Sequence, residues 1–109
     1  MSDTLLVLTN LPDAASAERI ARLLVEQRLA ACVNLLAPCT SVYRWHGAVE
    51  TATEVPLLIK TTRARYAELQ ATLAEAHPYE LPEIVAVPLE AGLPAYLAWV
   101  AAETTLPQA

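Results

Sequence analysis

The sequence predicts an α+β fold of the split βαβ kind, with element order βαββαβ and one further helix at the C-terminal end. Three observations carry this. Residues 4–9 and 83–90 are short, almost wholly apolar runs, too brief for helices, which read as buried strands. Residues 14–30 and 61–76 place apolar side chains at helical spacing. Between those helices, residues 32–60 are rich in Val, Leu, Ile, Thr and aromatics, as strands are. With 109 residues the chain has the size of one domain, taken as 1–109.

Each element has its own reason. "TLLVLT" (4–9) is continuous rather than alternating, so both of its faces are expected to be covered. Pro12 and Asp13 start the first helix, whose stripe is Ala17, Ile20, Leu23 and Leu24, with Glu18, Arg22, Glu26 and Arg28 mostly opposite. Residues 32–60 read as two long strands joined near His46 and Gly47, with Pro38 and Pro56 each marking a bulge, a bend or an edge, or a break into shorter pairing pieces, because neither can donate to a ladder. Thr61 or Thr62 is the cap candidate of the second helix, which sets Tyr66, Leu69, Leu73 and Ala76 on one side and ends before Pro78. "EIVAVPLE" (83–90) is the next strand. "GLPAYLAWVAAET" (92–104) is the last helix, with Pro94 early and Leu93, Tyr96, Leu97 and Val100 on one side.

In this arrangement two helices cover one face of an antiparallel sheet and leave the other open. The central strands are apolar on both faces, and the hydrophobic fraction reaches 55%. One terminal helix does not suffice to hide that surface, so self-association is expected. Net charge is −5, and the six arginines and one lysine form no cluster, which weighs against nucleic acid. The start "MSDTLLVLTNLPDAA" lacks a basic segment followed by an apolar one. No apolar run approaches the roughly 18 residues needed to span a bilayer, so a cytoplasmic protein is expected. Cys32 and Cys39 have neither zinc spacing nor a disulfide framework and read as reduced thiols.

The stretch "HPYELPEI" (77–84) concentrates the polar chemistry. His77, Glu80 and Glu83 are three residues apart between two prolines that favour extended backbone, so a polyproline helix would put all three on one edge. At a rise of about 3.1 Å per residue successive members stand roughly 9 Å apart, whereas donors to one ion lie within about 4 Å of each other. A metal therefore needs donors from a neighbouring strand or subunit. The plainer reading makes His77 a cationic cap on the second helix. Lys60, the single lysine, is either a solvated strand end, an anchor for a carboxylate or phosphate, or a partner for Glu54, Glu80 or Glu83. Cys32 reads as a small buried hydrophobe, with a soft-metal thiolate as the sharper alternative. Trp45 suggests a subunit contact and His46 a solvated turn residue. With no G-x-S-x-G, glycine-rich phosphate loop or H-E-x-x-H, an enzyme is not expected.

Taken together, "LAACVN" (29–34), "SVYRWHGAVE" (41–50), "LLIKTT" (57–62) and "HPYELPEI", in this order and spacing, resemble the CutA divalent-cation tolerance family. The resemblance covers nearly the whole chain. It implies a ferredoxin-like βαββαβ sandwich with an extra C-terminal helix and a homotrimer interlocked by strand pairing. It also implies an architecture similar to PII signalling proteins, whose ligands lie between subunits, and a role in tolerance of copper and other divalent metals. The family's bacterial copper set uses a cysteine near the end of the first strand and two adjacent histidines before the "PY" pair. Thr9 and Ala76 stand at two of these positions, leaving His77 without the soft thiolate that favours Cu(I).

The expected site is an intersubunit cleft, with His77 and Glu83 toward a divalent cation such as Cu or Zn and with Lys60, Tyr79 and Glu80 lining it. No cofactor is obligatory. A small anionic ligand held by Lys60, as in a PII-like sensor, is the competing expectation, and a trimeric scaffold is a third.

Overall fold

The computed structural model describes residues 3–107. It contains β1 (Thr4–Leu11), α1 (Ala14–Glu26), β2 (Cys32–Leu35), β3 (Cys39–Trp45), β4 (Ala48–Thr62), α2 (Arg63–Ala76), β5 (Val85–Pro88) and α3 (Pro94–Thr104). The sheet order is β2-β4-β1-β5, with β3 paired to the remaining half of β4 and every pair antiparallel. With β3 set aside, this is the ferredoxin-like order, carrying the extra helix α3 at its C-terminal end.

Alternation along β1 and β4 sorts the core. Val7↔Ile59, Thr9↔Leu57 and Leu11↔Val55 face the helices and are buried, where they meet Ile20 and Leu24 of α1 and Leu69 and Leu73 of α2. Each fully buried Leu or Ile contributes about 1.5–3 kcal/mol relative to exposure. The opposite face presents Leu6, Leu8 and Leu58 half-buried and Val85 and Val87 exposed. Helix α3 packs on β4 and β1, with Tyr96 against Cys32. It buries Val100 and Thr104, half-buries Leu97, and leaves the expected contact residues Leu93 and Tyr96 exposed.

Asp13 caps α1 by accepting from Ser16 N at 2.7 Å. The helix stops at Glu26, short of the expected residue 30, because Arg28 takes a left-handed conformation (φ 57°) and Leu29 N turns back to Leu24 O. At α2 the cap position falls to Thr62, whose side chain makes no capping bond; Asp3 O accepts from Arg63 N instead. Thr61 is buried and donates to Leu29 O at 2.6 Å.

Residues 32–60 form three strands rather than two, the break falling at 36–38 around Pro38. Pro56 interrupts nothing. It lies where β4 changes partners, just after the β3 ladder ends at Glu54 and the β1 ladder begins at Val55, so its missing donor costs little there. At 15 residues, β4 spans about 50 Å. The molecule measures 47 × 30 × 23 Å, and its radius of gyration, 14.6 Å, exceeds the ~13 Å of a compact chain this long. The excess is an arm made of β3 and the first half of β4. Its two-residue turn has His46 at φ 49° and Gly47 at φ 80°, the positive pair of a type I′ hairpin. One face of the arm is fully exposed, with Val42 at 67% and Val49 at 65%, and the other leaves Tyr43 exposed and Trp45 half-buried.

Candidate acidic cleft between the arm and the His77 loop

His77 stands at the C-cap of α2 and is buried, 7% exposed. Tyr79 N–H donates to its Nδ1 at 3.2 Å, so Nδ1 accepts and the ring proton sits on Nε2, which donates to Asn10 O at 2.8 Å. Burial pushes the His77 pKa below its ordinary value, against the opposing pull of the Asn10 carbonyl and the Glu54 charge. Burial thus disfavours the cationic cap expected from the helix dipole, and both ring nitrogens serve the backbone. A metal ion at His77 has to displace one of these two bonds.

Tyr79 packs against His77 with ring centroids 4.8 Å apart and planes tilted by 50°, and its hydroxyl donates to Glu54 Oε2 at 2.9 Å. Burial, followed by the bond to Glu54 and the Glu54 charge, raises the phenol well above its usual range. Glu54 is 8% exposed, and among the described residues no Lys, Arg or His forms an ion pair with it. Asn10 Nδ2 reaches Glu83 Oε1 at 3.4 Å. Two strand residues thus pin the loop through three bonds: Asn10 from β1 through both its carbonyl and its amide, and Glu54 from β4.

Between this loop and the arm lies a cleft of about 880 Å³. Glu50, Glu54, Glu80 and Glu83 line it against a single basic residue, Arg44. Tyr43, Trp45, Tyr79 and Leu81 supply apolar wall. Period-2 alternation puts Glu50 and Glu54 on one side of the arm, opposite Tyr43 and Cys39 of β3. Among the described residues, no group of three or more His, Cys, Asp or Glu is arranged to hold a metal ion.

Of the residues singled out from sequence, Tyr79, Glu80 and Glu83 line the cleft, and His77 lies behind it as an anchor. Lys60 is elsewhere, six residues along β4 from Glu54 and thus about 20 Å away. Its ammonium bonds Asn34 Oδ1 and lies 4.0 Å from Cys32 Sγ, so its partner is Asn34 rather than Glu54, Glu80 or Glu83. Asn10 and the Tyr79–Glu54 pair were not anticipated. The Glu-x-x-x-Glu spacing of 50 and 54 in a strand was the available signal for an acidic side of the arm.

The model of the CutA1 divalent ion tolerance protein family matches residues 5–103. The divalent-cation tolerance protein CutA of Thermus thermophilus is 45% identical over 98 residues, 90% of this chain and 95% of that protein. Protein CutA of Mus musculus is 46% identical over 89 residues. That alignment takes in 82% of this chain and 50% of the mouse protein, so the chain spans about half the length of that relative. Among solved structures, CutA from Xylella fastidiosa superposes with a TM-score of 0.93 at 46% identity, covering 95% of this chain and 100% of the other. A family match over this span, carried by the same fold at such identity, places the chain in the CutA divalent-cation tolerance family.

Proposed function

We propose that this chain is a non-enzymatic, trimeric protein of divalent-cation tolerance and response that takes metal ions weakly, through acidic clefts completed between subunits. The observation that carries the reading is the charge of the cleft, four glutamates against one arginine. Hard oxygen donors suit divalent cations held loosely, with Glu83 and Glu80 at the loop and His77 joining only if it gives up a backbone bond. Thr9 replaces the soft thiolate that would select Cu(I), and Ala76 replaces one of the two imidazoles. The same charge disfavours a small anion here, and Lys60, the anchor that reading needs, is bound to Asn34. The exposed apolar arm and the short edge strand β5, with Val85 and Val87 outward, support closure by sister copies. Free thiols at Cys32 and Cys39 suit the reducing cytoplasm.

Calorimetric titration with Cu(II) and Zn(II) tests the site. The Glu80→Gln/Glu83→Gln double variant is expected to lose most binding and His77→Ala to lose less; equal binding in all three proteins would remove the cleft from the reading. Sedimentation at micromolar protomer concentration tests the assembly, a folded single-chain species being the contrary result.

A further inference from the structure

We propose that the floor of the acidic cleft is a binding site for an organic cation, an ammonium group carried on an apolar body, rather than for a bare ion alone. The inference rests on the reading of the cleft as a cation site and names a second class of occupant for it. Its starting point is Glu54. A carboxylate this deeply buried is costly unless a positive charge or several hydrogen bonds meet it. It receives one bond, from Tyr79 Oη, and no cationic side chain among the described residues. Glu50 adds a second carboxylate on the same side of β4, about 13 Å nearer the arm tip, while the one arginine of the lining, Arg44, alternates to the other side of β3.

The walls decide between a metal and an organic cation. A divalent ion needs several oxygen or nitrogen donors converging within a few ångströms, and no such group is assembled among the described residues. Tyr79 instead meets Glu54 directly, Tyr43 stands across from Glu50, and Trp45 lines the same cleft nearer the arm tip. Aromatic faces beside a desolvated carboxylate are the combination that favours an alkylammonium, attracted by the ring quadrupoles and paired with the acid. The volume, about 880 Å³, lies within the range of small-molecule sites, far larger than a single ion fills.

The test compares phenethylammonium with 2-phenylethanol, which has a similar apolar body and no charge, by calorimetry on the assembled protein at low salt. The expected result is binding of the ammonium at least about tenfold tighter than the alcohol. Glu54→Gln, which keeps an acceptor for Tyr79, should abolish that preference, Tyr43→Ala should weaken the ammonium, and Glu90→Gln, outside the cleft, should change neither. Thermal melts of each variant confirm folding. Equal affinity for the two compounds, binding of neither, or a preference that survives Glu54→Gln would each overturn the proposal. Zn(II) titrated in parallel separates the two readings. Metal binding without ammonium preference sinks only the organic-cation site, and ammonium preference without metal binding sinks only the metal reading.

Discussion

The same substitution at two buried threonines on neighbouring strands should shift stability in opposite directions. Thr9 on β1 and Thr61 on β4 face the helices and are 1% and 0% exposed. Thr9 Oγ1 is buried with no hydrogen-bond partner among the described residues, whereas Thr61 Oγ1 donates to Leu29 O at 2.6 Å. Valine matches threonine in shape and strand preference, so exchanging the hydroxyl for a methyl isolates the polar atom. An unmade buried hydrogen bond costs about 1–3 kcal/mol. Thr9→Val should therefore gain about 1 kcal/mol or more, and Thr61→Val should lose a similar amount by stranding the Leu29 carbonyl. For a domain near 100 residues each kcal/mol moves the melting midpoint by about 4–8 °C. Both variants and the wild type should be melted at one protomer concentration, since assembly shifts the midpoint by mass action. Midpoints that move in the same direction, or a Thr9→Val protein that melts lower, would refute the accounting.

Tyr79→Phe should destabilise by about 1–3 kcal/mol, by leaving the Glu54 carboxylate without its donor, as read by urea unfolding. Acidification should act through His77. Folding holds its pKa below the ordinary 6.5, so the unfolded chain takes the proton first as pH falls. The stabilising term is complete above about pH 6.5 and drains from there down through the lower folded value, and urea midpoints for His77→Gln should lack this component. At the arm tip, His46→Val should lower stability by about 1–2 kcal/mol, because a β-branched residue tolerates φ 49° poorly, while His46→Asn should be neutral or favourable. Thermal melts of the two variants decide this.

What could be read before the structure was whatever depends on neighbours in sequence. Asp13 announced the start of α1, and the apolar runs announced β1 and the second half of β4, because capping and alternation are local. Tyr79 meeting Glu54 was hidden, since the two are 25 positions apart and nothing local couples them. The bond of Lys60 to Asn34 depends on the β2–β4 register, which no turn sets directly. Helix α3 misled because it is nearly all apolar, so no polar stripe marks which side is seated. His77 was visible as a cap but not in its charge state, which burial decides. The acidic side of the arm needed the partner change along β4, and Pro56 gave only an ambiguous sign of it.

Strand β4 also constrains how this chain can vary over evolutionary time. One unbroken backbone serves β3 with its first half and β1 and β2 with its second. Dropping or adding a single position near Glu54 would turn one half inside out relative to the other, exchanging Glu54 for its outward neighbours or Leu57 and Ile59 for Leu58 and Lys60. Point changes can accumulate there, but length changes cannot. Relatives should keep the interval from Glu50 to Thr61 fixed and confine insertions to the His46–Gly47 tip or the segment around Pro38.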